Sequence, residues 1–356
     1  MLGPSPSLAR DPLSANPKPN GPDIAAFVQE VDALRRTAQI PGLSVAVVKD
    51  QALVLALGLG YADPERGVSA TAVTPYNIAS VTKPISAVVA LRLAEVGVLD
   101  LDRPMAEYSE WEEFCRDFAQ QPSIFAQGLR CDPCRHTLRH LLSHTATSEP
   151  GDHFSYNPLL YSWASRPMMS ATDATFSSLV AQHVFGPAGM TRSARTNRDL
   201  PLREDLALDL APPHRSGATG EIERGPAPPV QGDGAAGGVI TTVLDLAKFD
   251  LALDRGVLIT AQSRTAMMTP AHASSGATHP YGLGWFVQEH RGRRLVWHAG
   301  WWDDAYSALY LKIPDLGLTF IILANSEGIW WDNPLDRAEV ERSPFAQSFL
   351  RTFVGE

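Results

Sequence analysis

The sequence predicts an α+β (α/β) fold, in which helices from both ends of the chain flank one antiparallel sheet and a mostly helical lobe is inserted between the strands. β-rich runs occur near the N-terminus and again in the last third of the chain, and the segment 99–229 between them is irregular, Pro-rich and partly helical. The 356 residues are 44% hydrophobic and 19% charged. That is enough to bury a full core, in one large domain or in two lobes that share an interface.

The N-terminal part of the chain predicts one helix and one hairpin. Apolar residues recur at helical spacing from Ile24 to Arg36, which indicates an amphipathic helix. The runs GLSVAVVKD and QALVLALGLG follow, and the polar residues Lys49-Asp50-Gln51 separate them. Two β-rich runs joined by a short polar turn are typical of a β-hairpin.

Further helices are predicted in the middle of the chain from apolar spacing and from capping residues. They are Ser80 to Val96, which Gly97 ends, the segment TLRHLLSH, Ala174 to Val184, and Leu244 to Leu253 with Thr241 or Thr242 as its cap.

The last third of the chain predicts strands separated by short turns, such as the one at Arg291-Gly292. The predicted strands are YGLGWFVQEH, RRLVWHAG, AYSALYLKI and LGLTFIILAN. A final helix is expected from about Pro344 to Val354.

This order of elements predicts a discontinuous domain organisation. Residues 23–79 and 238–356 are expected to form the sheet domain, and residues 80–237 the helical domain. A ligand site is expected in the cleft between them. Residues 1–22 are rich in Pro, Ser and Asn and lack the apolar core of a secretion signal, so we expect a disordered leader there.

Charge and hydropathy narrow the range of partners. The chain has 30 basic and 39 acidic residues, for a net charge of −9, and no Lys/Arg cluster that would suit a phosphate backbone, so nucleic acid is not an expected partner. No window has the 18 or more apolar residues of a transmembrane segment. A cytoplasmic location is the default expectation, and a periplasmic or secreted one applies if a signal has been removed. The oligomeric state does not follow from the sequence.

The three cysteines do not form a disulfide framework. Cys131 and Cys134 form a CxxC pair, with Cys115 upstream and His136 and His140 nearby. A structural zinc ion takes four ligands, often from two such pairs. Because there is one pair, ordinary thiols or a local bridge are favoured over a metal. We expect no cofactor and no metal.

The run Tyr76-Asn-Ile-Ala-Ser80-Val-Thr-Lys83-Pro carries the strongest chemical signal. Ser80 and Lys83 are three residues apart at the start of a predicted helix and so share one face. A serine hydroxyl becomes a good nucleophile when a base takes its proton, and a partly desolvated lysine nearby can be that base or can hold a neighbouring base ionised. The helix N-terminus adds N–H groups suited to an oxyanion. An SxxK tetrad alone is a weak signal, since most such matches are solvated helix faces.

Several further segments accompany this tetrad in a fixed order. They are IPGLSVAVVKD with GLGYAD, IASVTKPISAVVALRLAEVGVLDLDRP, LRHLLSHTA, FGPAGMT, AAGGVITTVLDLAKF and YGLGWF. On these blocks the sequence resembles the serine β-lactamase-like superfamily: class C β-lactamases, DD-peptidases and family VIII carboxylesterases. The resemblance runs from about Ile24 to the C-terminus. It implies the β-lactamase/transpeptidase-like fold, with Ser80 as the nucleophile.

The superfamily's second motif, Tyr-x-Asn, aligns with PGDHFSYNPLLYSW. The resemblance implies that Tyr156 acts as the general base beside Ser80 and Lys83; the alternative is a tyrosine packed in the core. Asn157 and Pro158 follow, so the asparagine is absent from its usual place, and this puts β-lactam turnover in doubt. Asn157 is retained as a candidate for substrate binding, although Pro158 restricts it to extended backbone geometry.

The third motif corresponds to His298-Ala299-Gly300 at the end of the run RRLVWHAG. Gly300 would let a substrate approach the backbone closely. The resemblance implies that His298 belongs to the site and that the N–H groups of Ser80 and Trp301 form the oxyanion hole. A satisfied structural histidine is the alternative for His298.

Other signals carry less weight. Gly42-Leu43-Ser44-Val45-Ala46 is a near miss to GxSxG, but it lies within a strand that no helix follows. The run GDGAAGGV has no Lys-Ser/Thr partner, so we interpret it as a site-facing loop and not a phosphate loop. His144 is most simply structural. The tryptophans in the last third of the chain are expected either to line an apolar acyl pocket or to pack in the core. They are Trp285, Trp297, Trp301, Trp302, Trp330 and Trp331.

These motifs predict a serine hydrolase that forms an acyl-enzyme on Ser80. We favour a carboxylesterase for short to medium acyl esters, since the missing motif asparagine and the aromatic residues suggest a loose, apolar pocket. The alternatives are a β-lactamase, DD-peptidase or D-amino-acid amidase or peptidase, a transacylase, and a non-catalytic β-lactam- or peptidoglycan-binding protein. The expected partner is a small ester, amide or β-lactam substrate.

Overall fold

An antiparallel sheet built from both ends of the chain organises the structure, a computed structural model. It describes residues 22–108, 110–131, 135–197, 200–217, 220–228 and 232–355. Within them the main sheet has seven strands, in the order β3-β2-β1-β12-β11-β10-β9. Their bounds are β1 Gly42–Lys49, β2 Ala52–Asp63, β3 Val68–Ser69, β9 Phe286–His290, β10 Arg293–Trp302, β11 Tyr306–Ile313 and β12 Leu318–Ala324. The predicted α+β fold is confirmed.

Short strands and helices complete the described chain. The strands are β4 Tyr76–Asn77, β5 Ala194–Arg195, β6 His214–Ser216, β7 Ile222–Arg224 and β8 Val239–Thr241. The helices are α1 Ile24–Thr37, α2 Thr82–Glu95, α3 Trp111–Ala119, α4 Leu138–Leu142, α5 Pro158–Trp163, α6 Ser165–Thr172, α7 Phe176–Val180, α8 Gly186–Ala188, α9 Glu204–Asp209, α10 Val243–Asp254, α11 Ala261–Met267 and α12 Pro344–Phe353.

The two ends of the chain meet at the centre of the sheet. β1 pairs with β12, with Val45 opposite Ile322, and both strands are buried along almost their whole length. Alternate residues of β1 face opposite sides. Leu43, Val45 and Val47 share an apolar cluster with Phe27 of α1 and Phe349 of α12. Ala46 and Val48 belong to the second cluster, which α2 and α10 also enter.

Capping residues explain where the terminal helices begin. Asp23 accepts a hydrogen bond from Ala26 N–H at the start of α1, and Ser343 does the same for Ala346 at the start of α12. Pro344 occupies the first turn of α12, where a missing N–H costs nothing. Both helices and the β1–β2 hairpin occur where the sequence predicts them. Thr242 is the cap of α10.

Several predicted elements are shorter than expected. The segment TLRHLLSH is helical only over Leu138–Leu142, with Thr137 and His140 forming a capping box. The helix expected from Ala174 to Val184 changes at Ala181 from α-helix to a π-helical turn. In YGLGWFVQEH only the last five residues form β9. The short strands β4 to β8 have too few residues to show an alternating pattern, and the sequence did not reveal them.

Of the two alternatives expected for the cysteines, ordinary thiols and a local bridge, the structure shows a bridge. It joins Cys115 to Cys131, so Cys131 is neither a free thiol nor bonded to its CxxC partner. Cys134 and residues 1–21 of the leader predicted for residues 1–22 lie outside the described residues. None of the helices in the described part of the chain has the length and apolar character to cross a bilayer.

Candidate active site

Ser80 stands on a tight turn between β4 and α2. Ala79 has a positive φ of 45°, a conformation that is uncommon for a residue with a Cβ and typical of functional sites. Its N–H donates to Asn77 Oδ1 at 2.9 Å, and a 3-10 turn over Ala79–Val81 leads into α2. This turn leaves Ser80 half-buried at the wall of a cavity.

Lys83 lies next to Ser80. It is fully buried, and its Nζ donates to Ser80 Oγ at 2.7 Å and to the Ala236 carbonyl at 3.3 Å. The rings of Tyr156 and Tyr161 lie 5.0 and 5.4 Å from Nζ. Among the described residues Lys83 pairs with no carboxylate. Burial lowers the pKa of Lys83 to about 7, because it disfavours the charged form. A large part of this amine is therefore unprotonated at neutral pH.

Tyr156 lies beside Ser80 and Lys83. It lines the same cavity as Ser80, and burial raises the pKa of Tyr156 above its ordinary value. Its ring stacks on Phe286 at 5.8 Å, and the His144 ring lies 4.3 Å away. The structure thus brings Ser80, Lys83 and Tyr156 together as the sequence predicted.

His144 is buried, and its Nδ1 accepts a hydrogen bond from the Asn157 N–H at 3.0 Å. Burial and the charge of Lys83 lower its pKa well below the ordinary value. The neutral ring therefore packs against Tyr156 and fixes the backbone next to it. This agrees with the structural role expected for His144.

Asn157 is not placed to bind substrate, which corrects that expectation. The residue is buried; its Oδ1 accepts from Leu160 N–H at 3.0 Å as the cap of α5, and its Nδ2 donates to the Phe125 carbonyl at 2.6 Å. Asn157 has extended backbone geometry, as the following Pro158 requires. Both ends of the amide are engaged within the protein, and Pro158 lines the cavity instead.

His298 lies close to the site but behind its wall. The buried ring has Nδ1 2.7 Å from the Ala299 carbonyl and Nε2 2.9 Å from the Tyr281 hydroxyl. A carbonyl only accepts, so Nδ1 carries the proton and Nε2 accepts from Tyr281. Burial and the charge of Lys83 lower the pKa of His298 well below its ordinary value. Its ring centroid is 6.1 Å from that of Tyr156, and none of its described hydrogen bonds reaches Ser80 or Lys83.

Gly300 allows strand β10 to pass against the turn that carries Ser80. A Cβ at this position would lie 2.2 Å from the Ile78 carbonyl oxygen, which backbone atoms cannot accommodate. The next residue, Trp301, lines the cavity and is 43% exposed. Its indole donates to Glu327 at 3.0 Å and stacks on Trp330. The Ser80 and Trp301 residues thus flank the same cavity.

The cavity has a volume of about 500 Å³ and a mainly apolar wall. Its described lining residues are Ala79, Ser80, Phe125, Tyr156, Pro158, Leu159, Ser162, Gly232, Gly234, Ala236, Gly237, Ala299, Trp301, Trp302, Trp330 and Leu335. None of these carries a charge. The size and the few polar groups suit a small ligand with an apolar body.

The lining residues also show which of the weaker sequence candidates belong to the cavity. The loop GDGAAGGV faces the site, as expected, through four of its described residues. Trp301, Trp302 and Trp330 line the cavity, whereas Trp285 and Trp297 are fully buried in the core. Sequence reasoning missed Phe125 and Leu335, because no motif marks them; Leu159 and Ser162 lie within the quoted block PGDHFSYNPLLYSW but were not singled out. Tyr281 was within reach, since it opens the quoted block YGLGWF.

Comparisons with known proteins agree with this fold. A solved structure of an octameric penicillin-binding protein homologue from Pyrococcus abyssi superimposes with a TM-score of 0.74 at 22% identity, covering 93% of this chain and 78% of that one. Among curated proteins, protein flp of Staphylococcus aureus is 22% identical over 332 residues, or 83% of this chain and 63% of its own length. D-aminopeptidase of Brucella anthropi is 27% identical over 297 residues, or 78% and 54%.

The fold is therefore the one shared by penicillin-binding protein homologues, and the expected β-lactamase/transpeptidase-like class is confirmed. The family model for Beta-lactamase matches residues 25–341. The chain belongs to this family. It spans 54–63% of the length of the two curated relatives named above.

Proposed function

We propose that this protein is a serine hydrolase that forms an acyl-enzyme on Ser80, and that it acts as a carboxylesterase on short to medium acyl esters. The observation that carries the proposal is the 2.7 Å hydrogen bond from Lys83 Nζ to Ser80 Oγ at the wall of an uncharged cavity. A buried amine with a pKa of about 7 is matched to taking the proton of a serine hydroxyl near neutral pH.

The first step is attack on the ester carbonyl. Ser80 Oγ forms a bond to the carbonyl carbon while its proton passes to unprotonated Lys83, and the carbonyl oxygen becomes an oxyanion. The N–H groups of Ser80 and Trp301 are proposed to stabilise that oxyanion. The resemblance assigned the role of base to Tyr156, but burial raises its pKa. In our proposal Lys83 is therefore the base, and neutral Tyr156 acts as a proton relay.

The second half of the reaction regenerates the free enzyme. The oxyanion collapses, the carbon–oxygen bond to the leaving alcohol breaks, and that alcohol takes the proton from Lys83 through the Tyr156 hydroxyl. Water then attacks the acyl-enzyme, with Lys83 again accepting the proton. The tetrahedral intermediate expels Ser80 Oγ, which takes the proton back from Lys83, and the carboxylic acid leaves. No metal or cofactor takes part in this scheme.

The character of the wall favours esters over charged substrates. A β-lactam or a peptide C-terminus carries a carboxylate, and a D-amino-acid amide carries an ammonium group; binding either in a closed site calls for a partner of opposite charge. The described lining residues offer none. Ala299 has no hydroxyl with which to bind a substrate group, and the Asn157 amide is already hydrogen-bonded within the protein. An uncharged acyl ester leaves no buried charge unpaired.

Amide-directed hydrolysis is the second candidate, because a relative named D-aminopeptidase is 27% identical over 297 residues. Hydrolysis of D-amino-acid amides or β-lactams at rates above those of esters would favour it.

The compartment is a further part of the proposal. The Cys115–Cys131 bond is of a kind that persists in oxidising compartments and is rare in the cytosol. We therefore favour a periplasmic or secreted location over the cytoplasmic default. Cell fractionation of the native host, with the thiols of the protein counted by mass spectrometry, tests this.

The test of function compares p-nitrophenyl butyrate hydrolysis by the wild type and by Ser80→Ala. We expect turnover in the wild type and background rates in the variant. The matched control is Ser178→Ala, which removes an exposed hydroxyl on α7 and should retain the wild-type rate. Equal activity in the wild type and Ser80→Ala would refute the assigned nucleophile. Inactivity of both, with Ser80 still labelled by a fluorophosphonate, would reject the ester but not the nucleophile.

A further inference from the structure

The segment between α3 and α4 forms a covalently closed loop beside the cavity. The disulfide joins Cys115, which is buried in α3, to Cys131, sixteen residues further along. Phe125 lies inside this loop, in the helical turn Ile124–Ala126, and its side chain lines the cavity. Its neighbour Ile124 is 75% exposed and is not among the described lining residues. The loop therefore contributes a single aromatic side chain to the wall.

One end of this loop is fixed to the helix that forms another part of the same wall. Trp111 and Phe114 of α3 pack on Trp163 of α5, with ring centroids 4.9 and 5.1 Å apart. Helix α5 also supplies Pro158 and Leu159 to the cavity. The position of Cys115 is thus set relative to α5 by aromatic contacts.

The middle of the loop is held by hydrogen bonds. The Phe125 N–H donates to Ser123 Oγ at 3.2 Å, and the Phe125 carbonyl accepts from Asn157 Nδ2 at 2.6 Å. Asn157 follows Tyr156 directly and caps α5 with its other amide atom. Moving Phe125 outward would leave a buried amide without its acceptor, which costs free energy. The disulfide restricts the same movement, since both ends of the loop are tied.

We infer that Phe125 is a specificity-determining residue of the proposed ester site, and that the Cys115–Cys131 disulfide and Asn157 act as positioning groups that keep it in the wall. A fixed aromatic wall limits how many methylene groups of an acyl chain the cavity accepts, whereas a mobile one would yield to longer chains. This inference rests on the proposed function, because it names what limits the acyl group at that same site.

The experiment measures acyl-chain selectivity, as the ratio of kcat/KM for p-nitrophenyl octanoate to that for p-nitrophenyl butyrate. Phe125→Ala should raise this ratio about tenfold or more, since each added methylene that a pocket accepts changes specificity by such factors. The matched control is Ile124→Ala, in the same turn but outside the wall, which should leave the ratio unchanged. A general loss of packing would lower both rates and leave the ratio unmoved.

Two further variants test the positioning groups. Asn157→Asp keeps an acceptor that caps α5 but loses the N–H that binds the Phe125 carbonyl. The double variant Cys115→Ala/Cys131→Ala removes the covalent closure. Each should raise the octanoate to butyrate ratio in the same direction as Phe125→Ala, by a smaller factor. If the double variant does not fold, Asn157→Asp still tests the positioning of Phe125, and dithiothreitol reduction of the folded wild type tests the disulfide.

A second readout separates this inference from the proposed function. Ethyl and octyl fluorophosphonates label Ser80 without any need for ester turnover, so the ratio of their labelling rates reports the wall directly. In one outcome the wild type hydrolyses neither ester while Phe125→Ala still raises the labelling ratio. That result would reject the esterase proposal and support the role of Phe125 in the cavity wall. An unchanged ratio for folded Phe125→Ala in both assays would overturn the inference. An unchanged ratio for both positioning variants would overturn the role of the disulfide and Asn157.

Discussion

Lys83 Nζ lies 2.7 Å from Ser80 Oγ and pairs with no carboxylate in the described part of the chain. Buried ammonium groups normally have an anionic partner, because an unpaired charge in a low-dielectric interior is costly. Here the groups around the amine are uncharged: the Ser80 hydroxyl, the Ala236 carbonyl, and the rings of Tyr156 and Tyr161. The site therefore holds a lysine whose pKa is lowered to about 7, and in the proposed reaction the oxyanion would compensate its charge.

The pH dependence of catalysis follows from this pairing. Burial lowers the pKa of Lys83 to about 7, so the amine is protonated below that pH and free to accept a proton above it. We expect kcat/KM for a neutral ester to rise with pH through about 7 and to fall about tenfold per unit on the acid side. The pKa values of His144 and His298 are lowered and that of Tyr156 is raised, so none of these should titrate near 7.

A pH profile of kcat/KM between pH 5 and 9 measures this. The control is a parallel thermal unfolding scan, which shows that the protein stays folded across the range. A profile that is flat across pH 7, or that falls as the pH rises, would show that unprotonated Lys83 is not the base.

Replacing Lys83 with methionine should separate activity from stability. The folded-state pKa lies below the unfolded value of about 10.4, so between these values the unfolded chain binds more protons and stability rises with pH. Below about pH 7 the wild type carries the full cost of this buried amine. Lys83→Met removes that cost, so we expect it to abolish hydrolysis while stabilising the fold by on the order of 1–4 kcal/mol at pH 6. The gain should shrink by pH 10.

Chemical denaturation of both proteins at pH 6 and pH 10 tests this expectation. A variant that is less stable than the wild type at pH 6, or a gain that grows with pH, would contradict the assigned pKa of Lys83.

Elements that follow a repeating pattern or a known motif could be predicted from the sequence. Contacts that are set by tertiary packing could not. The β1–β2 hairpin, the terminal helices and the contact of Ser80 with Lys83 follow from spacing and order, whereas the position of Tyr156 beside them was implied by the family resemblance. Asn157 was placed wrongly, because the sequence shows that Pro158 displaces the motif asparagine but not which carbonyl then receives the amide. That carbonyl belongs to Phe125, 32 residues away, in a loop without a pattern of its own.

The disulfide illustrates the same limit. The CxxC spacing draws attention to Cys131 and Cys134, yet the bond joins Cys131 to Cys115. Helix α3 places Cys115 on its buried face, and only the packing of that helix beside the loop brings the two sulfur atoms together. Sequence separation alone could not choose between the pairings.

Gly300→Ala should impair catalysis through the backbone. The new Cβ would meet the Ile78 carbonyl oxygen at 2.2 Å, so β10 would have to move away from the turn that carries Ser80. We expect kcat to fall about 100-fold, the scale seen when an oxyanion-hole donor is lost. Steady-state kinetics with p-nitrophenyl butyrate measures the loss.

The comparison is Gly225→Ala, whose Cβ would also meet a backbone carbonyl at 2.2 Å, that of Asp304, but at a residue that does not line the active-site cavity. Its kcat should fall much less than that of Gly300→Ala. Comparable losses in the two variants would show that crowding a backbone carbonyl, and not the position of β10, accounts for the effect.

Tyr281→Phe should reveal how His298 contributes. The Tyr281 hydroxyl donates to His298 Nε2 at 2.9 Å, and both residues are buried. Without this hydroxyl, the buried His298 Nε2 receives no hydrogen bond from water or protein, which costs about 1–3 kcal/mol. We expect the free energy of unfolding to drop by that amount and kcat to change less than tenfold, because His298 makes no described hydrogen bond to Ser80 or Lys83.

Urea denaturation and kinetics on one preparation measure both quantities, and His298→Gln serves as the companion variant. A loss of kcat beyond 100-fold with unchanged stability would instead place His298 in the reaction itself, through Tyr156, whose ring it approaches.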